Sequence, residues 1–186
     1  MKYRIKYYFL FLIFCYFVGI ILSINIFLSL SQNSKETILN SIKNSFDIIK
    51  NGNNNINDIV IFSIFSTILL ITPVLLSYMN KYLQIANIIV IIYKGYIFGF
   101  TTFCIFYLYK LKALMFFITY ILLKELIILI ILVILILNSF SIYFIKEKMY
   151  KKSDFQNKLI FSLFVSLIFI ITIIFDKYIG FYSSNF

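Results

Sequence analysis

Two ionisable residues lie inside apolar sequence, where a water-soluble fold would leave them no place. Lys94 opens the run Lys94-Gly95-Tyr96-Ile97-Phe98-Gly99-Phe100-Thr101, and Glu125 sits in Ile121-Leu122-Leu123-Lys124-Glu125-Leu126-Ile127-Ile128. A charge held at bilayer depth costs on the order of 3 kcal/mol on insertion scales, so such residues are kept for a partner or a function. Two arrangements satisfy them. Lys94 and Glu125 can pair between neighbouring spans, each compensating the other's charge. Alternatively Lys94 snorkels to one interface while the neighbours Lys124 and Glu125 satisfy each other near the opposite one. A relay for transport is a third use of the same two groups.

Beside Lys94, Gly95 and Gly99 have small-x-x-x-small spacing, which lets a neighbouring helix backbone approach closely in lipid. Thr101 and Thr102 follow with hydroxyls, so this stretch reads as a close-packed face with hydrogen-bonding groups along it. Chemistry of other kinds finds little support. The chain has 0 histidines, which removes the Ser-His-Asp triad, the histidine zinc helix and imidazole proton shuttling. Neither Gly-x-Gly-Asp nor Gly-x-Ser-x-Gly occurs, so nothing is arranged as nucleophile and base. Cys15 and Cys104 lie in apolar runs and read as small core residues, not as a metal or disulfide pair. No enzyme, no cofactor and no metal is expected.

The elements that must position these residues are helices in a bilayer. Hydrophobic residues make up 62% of the chain, well above what a globular domain can hide from water. The net charge of +10 does not form a nucleic-acid stripe. Lys2, Arg4 and Lys6 precede the first apolar run, and Lys146, Lys148, Lys151, Lys152 and Lys158 precede the last. Cations at span edges follow the positive-inside rule, which puts both clusters in the cytoplasm.

The expected fold is all-α: a polytopic transmembrane bundle of about five spans, amino end in and carboxyl end out, forming one membrane domain over 1–186. The spans fall at about 7–30, 59–79, 82–109, 113–145 and 159–175, with an external segment over 31–58. In that segment Asn33 and Glu36 suggest a capping box, and Ile38, Ile42, Phe46 and Ile49 recur at helical spacing. They predict an amphipathic helix from Ser34 to Lys50, closed by Asn51-Gly52. Pro73 should bend the second span. The apolar run over 82–109 is 28 residues long, about 42 Å as a helix against a core of roughly 30 Å. Lys94 therefore lies within the membrane or at its margin, whether that run is one tilted helix or two pieces. The longer run over 113–145 is interrupted by Lys124-Glu125.

The run from Lys94 to Thr101 resembles the Lys-Gly-x-x-x-Gly-Phe-Thr signature of the stage II sporulation protein M family. The order of parts is also similar: an amino-terminal anchor, an external helical segment, the signature span, a span with an acidic residue, a basic loop and a final span. The second motif departs from the family, with Ile121 and Ile127 where many relatives carry His and Pro. The resemblance implies a non-catalytic protein of the bacterial cell membrane, a scaffold that helps localise peptidoglycan-degrading enzymes during engulfment of the forespore. The outer helix would be the docking surface for such extracytoplasmic partners. Other relatives are accessories in circular bacteriocin clusters, working with an exporter complex in maturation, secretion or immunity. A small ion or solute transporter using Lys94 and Glu125 is the alternative from a different class.

Overall fold

The computed structural model describes residues 2–50, 65, 68–110, 114, 117–144, 160–167 and 170, and among these all regular secondary structure is helical, joined by short turns. Helix α1 spans Lys2–Ser29 and α2 spans Gln32–Lys50. Helix α3 covers residues 68–76, and a 3-10 turn over Lys81–Leu83 leads into α4, Gln84–Tyr109. A π-helical turn over Phe117–Leu122 runs directly into α5, Leu123–Phe144, and α6 covers residues 160–167. Among the described residues, three stretches are long and apolar enough to cross a membrane: Ile5–Ser29, Lys81–Tyr109 and Leu123–Ser141. Large apolar side chains such as Phe14, Phe17, Ile89, Ile130 and Ile134 are exposed along these helices, as lipid-facing positions are.

Each long helix buries one stripe at helical spacing. On α1 it is Leu12, Cys15, Tyr16, Gly19, Ser23 and Phe27; on α5 it is Glu125, Ile128, Leu132, Leu135, Ile136 and Ser139. Helix α1 lies parallel to α4, with Tyr16 against Gly95, Ser23 against Gly99 and Phe27 against Phe103. Helix α5 runs antiparallel to both: Glu125 meets Lys94 and Tyr16, while Ser139 meets Gln84 and Phe140 stacks on Tyr8. Between these levels Leu12, Ile91, Leu132, Leu135 and Ile136 form a fully apolar core, joined by Ile71 and Val74 of α3.

The run over 82–109 is a single helix from Gln84 onward, 26 residues or about 39 Å, and Lys94 lies well inside it. Lys124 and Glu125 do not break their run either. The helical path is continuous from Phe117 to Phe144 and widens to π geometry just before them. Helix α3 continues through Pro73 to residue 76, and Pro73 O accepts from Ser77 N at 3.0 Å.

Helix α2 starts earlier than Ser34, and its start differs from the one the Asn33 pattern suggested. Ser31 is the capping residue: its carbonyl accepts from Lys35 N at 3.0 Å, and its hydroxyl meets that of Ser34 at 2.9 Å. The capping position shifts because α1 runs to Ser29, leaving only two residues to turn the chain. Leu39 is buried there, with Ile38 and Ile42 beside it, against Phe27, Phe100, Phe103, Cys104 and Leu108. Lys35 Nζ donates to Leu28 O at 2.9 Å and lies 5.9 Å from the centre of the Phe27 ring. It thereby satisfies a carbonyl at the open end of α1, where the helix dipole favours a cation. The side chains of Phe46 and Ile49, the Asn51-Gly52 stop, and parts of the runs over 59–79 and 159–175 lie outside the described residues.

Candidate functional site: a tyrosine-capped ion pair between three helices

Lys94 Nζ lies 2.9 Å from Glu125 Oε2, with side-chain exposures of 12% and 10%. At that exposure Lys94 is not reaching out to an interface; its ammonium is held between α4 and α5. The second carboxylate oxygen is also used. Tyr16 Oη donates to Glu125 Oε1 at 3.1 Å, so α1 joins the same centre. A carboxylate accepts at two oxygens, and here each has a different helix as partner. Three helices therefore meet at one neutralised charge pair.

Local sequence makes the meeting possible. On α4, Gly95 follows Lys94, and a Cβ there would fall against the Tyr16 carbonyl, with Tyr16 Cα at 3.3 Å. A Cβ on Gly99 would meet the Ser23 hydroxyl, with Ile20 Cα at 2.9 Å. The third member is on α1: a Cβ on Gly19 would fall against Ile92 O, with Tyr96 N at 2.9 Å. Glycine on both sides brings the backbones close enough for Tyr16, one residue after Cys15, to reach across to α5. On α5 the π turn adds width immediately before Glu125, a feature that often re-aims side chains at specialised sites.

The expected site residues divide accordingly. Lys94, Gly95, Gly99 and Glu125 are brought together with α1. Thr101 is not: it is exposed, and its hydroxyl donates to Ile97 O at 2.9 Å and Phe98 O at 3.1 Å within its own helix. The neighbouring Thr102 turns inward, and its buried hydroxyl has no hydrogen-bond partner. Tyr16 and Gly19 were missed, although Cys15, Gly19 and Ser23 carry the same four-residue spacing of small residues as Gly95 and Gly99.

A second polar centre lies at the other end of the apolar core. Ser77 and Ser139 share a hydrogen bond at 2.7 Å, Gln84 Nε2 donates to Ser139 Oγ at 2.7 Å, and Asn87 Nδ2 donates to Ser77 Oγ at 3.0 Å and Gln84 Oε1 at 2.9 Å. Tyr78 Oη donates to Leu135 O at 2.8 Å, and Ser162 of α6 also bonds this hydroxyl. The sequence signal for this centre was two amides, Gln84 and Asn87, three residues apart at the start of an apolar helix.

Chemically, the upper centre pairs a cation with an anion and closes the anion with a phenol. Among the described residues no three His, Cys, Asp or Glu side chains come together as a metal site would require. The chain has no significant match to a family model, to a curated protein or to a solved structure.

Proposed function

We propose that this protein is a non-catalytic scaffold or accessory of the bacterial cell membrane, a multi-pass bundle whose intramembrane charges set helix register. It would have about five spans, amino end in and carboxyl end out, with α2 on the outer face. The arrangement that supports this is the self-contained ion pair. Lys94 and Glu125 neutralise each other, Tyr16 takes the remaining carboxylate oxygen, and the layer of Leu12, Ile91 and Leu132 at 0% exposure separates them from the polar centre around Gln84. A relay needs a chain of polar groups leading away from its charges, and this pair is bounded by apolar side chains on that side.

The resemblance of the Lys94–Thr101 run to the stage II sporulation protein M family directs the choice of partner: peptidoglycan-degrading enzymes outside the membrane, met by the polar face of α2. Lys43, Asn40 and Asn44 are exposed on that face while Leu39 is turned inward. The test is a deletion strain carrying a fluorescent cell-wall hydrolase that normally gathers at the engulfing membrane. Focused localisation should be lost, and should return with the wild-type gene and with a Lys94→Met/Glu125→Gln double variant. Unaltered localisation in the deletion strain would refute the hydrolase role. Solute uptake by sealed vesicles containing only the purified protein would refute the scaffold reading altogether.

A further inference from the structure

The centre around Gln84 and Asn87 has an open end. Asn87 is 0% exposed, and its Oδ1 accepts no hydrogen bond although its Nδ2 makes two. The buried hydroxyl of Tyr8 on α1 is likewise without a partner. Two independent contacts put these groups at one level. Along the parallel α1–α4 contact Tyr16 faces Gly95, so two turns earlier Tyr8 falls level with Asn87. Across α5, Tyr8 stacks on Phe140 at 3.9 Å between ring centres, next to Ser139, which bonds Gln84.

We infer that one buried water molecule bridges Tyr8 Oη and Asn87 Oδ1, tying α1 into the hydrogen-bond network of α4, α5 and the turn that follows α3. A phenol can donate and accept, and an amide oxygen accepts, so water supplies the missing half of each bond. Buried water is held by two to four polar partners, and Ser139 Oγ, which bonds Ser77 and Gln84, keeps one lone pair that can accept from it. The chemistry selects water over a metal cation. Gln84 Nε2 and Asn87 Nδ2 both direct hydrogens into the cluster, which would repel a positive ion. This site is independent of the scaffold reading and of the ion pair.

The test uses the full-length protein in nanodiscs. A map at a resolution that shows ordered water should contain a peak within hydrogen-bond distance of both Tyr8 Oη and Asn87 Oδ1. Tyr8→Phe should lose that peak and lower the melting temperature by about 2–4 °C. In an Asn87→Leu background the same change should lower it by less than half as much, because the bridge is already broken. Melting of the wild type should not respond when sodium or potassium is replaced by choline. Three results would overturn the inference: a direct Tyr8–Asn87 hydrogen bond with no peak, an equal Tyr8→Phe loss in both backgrounds, or melting that tracks the alkali cation. Should Asn87→Leu fail to fold, the map and the cation series still decide.

Discussion

Breaking the Lys94–Glu125 pair from one side should cost far more than removing it from both. Lys94→Met leaves a carboxylate between α4 and α5 with the Tyr16 hydroxyl as its remaining donor; Glu125→Gln leaves an ammonium with no opposite charge beside it. Removing one member of a buried pair costs about 3–5 kcal/mol, because the survivor stays desolvated and uncompensated. The Tyr16 bond offsets part of this for Glu125, so Lys94→Met should lie near 3 kcal/mol at roughly the lower bound and Glu125→Gln nearer about 5 kcal/mol. The double variant removes both charges, preserves side-chain volume, and gives Tyr16 an amide oxygen to donate to. Its cost should be only about 1 kcal/mol. The double variant thus falls short of additivity by several kcal/mol, more than the roughly 0.5–3 kcal/mol usual between neighbours, since both charges share one desolvated site. Equilibrium unfolding of the three variants and the wild type in mixed micelles reads all four values. A double variant as unstable as the sum of the singles would refute a coupled pair and return Lys94 to an interface.

Gly95→Ala should destabilise by more than about 2 kcal/mol, an overpacking effect, because the added methyl meets the Tyr16 backbone, which cannot rotate away; Ile89→Ala on the exposed face is the control, both read by thermal unfolding. Tyr16→Phe should cost about 1.5–3 kcal/mol, the value of a hydrogen bond to a charged acceptor, while the Lys94–Glu125 coupling persists in the same cycle. Leu39→Ala should loosen α2 alone: protease cleavage within Gln32–Lys50 should accelerate at least about tenfold, matching roughly 2 kcal/mol of lost burial, with global unfolding little changed. Lys110, at φ 49° and ψ −130°, holds a positive-φ conformation that glycine adopts far more readily, so Lys110→Gly should raise stability by up to about 1 kcal/mol in the unfolding assay.

How far the sequence reveals the site depends on whether a residue is conspicuous alone or only in company. Lys94 and Glu125 stand out singly, because a charge in an apolar run violates lipid compatibility wherever it points. Their pairing is a different matter. It depends on the rotation of α4 and α5, and the π turn at Phe117–Leu122 alters that rotation without a sequence signature of its own. Gly95 and Gly99 are legible as a contact face, but only the packing shows that Gly19 and Ser23 of α1 form the face opposite them. Tyr16 is one of 15 tyrosines, and nothing local separates it from Tyr7 or Tyr93, which are exposed. Thr101 misled because hydroxyls beside a small-residue motif suggest bonding across helices. A helix carbonyl four residues back is always nearer, and Thr101 uses it. The start of α2 shifted for a related reason: Asn33 has the chemistry of a cap, but Ser31 is where the chain leaves α1.

The distribution of polar groups over α5 has a mechanical meaning in a bilayer. Lipid tails are as apolar as leucine, so hydrophobic burial does not fix how far one helix slides past another. Sliding by one turn, about 5.4 Å, would leave the leucine and isoleucine surfaces of α5 nearly as well packed as before. It would not leave the polar groups so. Glu125 bonds α1 and α4 at one level, and Ser139 bonds α4 and the turn after α3 at a second, about 21 Å further along the same helix. A slip breaks both at once and strands a charge as well as a hydroxyl. Rotation about the helix axis is blocked by the same two points, since both lie on the one buried stripe. A single polar contact would act as a pivot; two at this separation, with glycine-close backbones beside the upper one, define a unique docking of α5. Fixed register of this kind is what a protein needs if other molecules are to recognise the surface it presents.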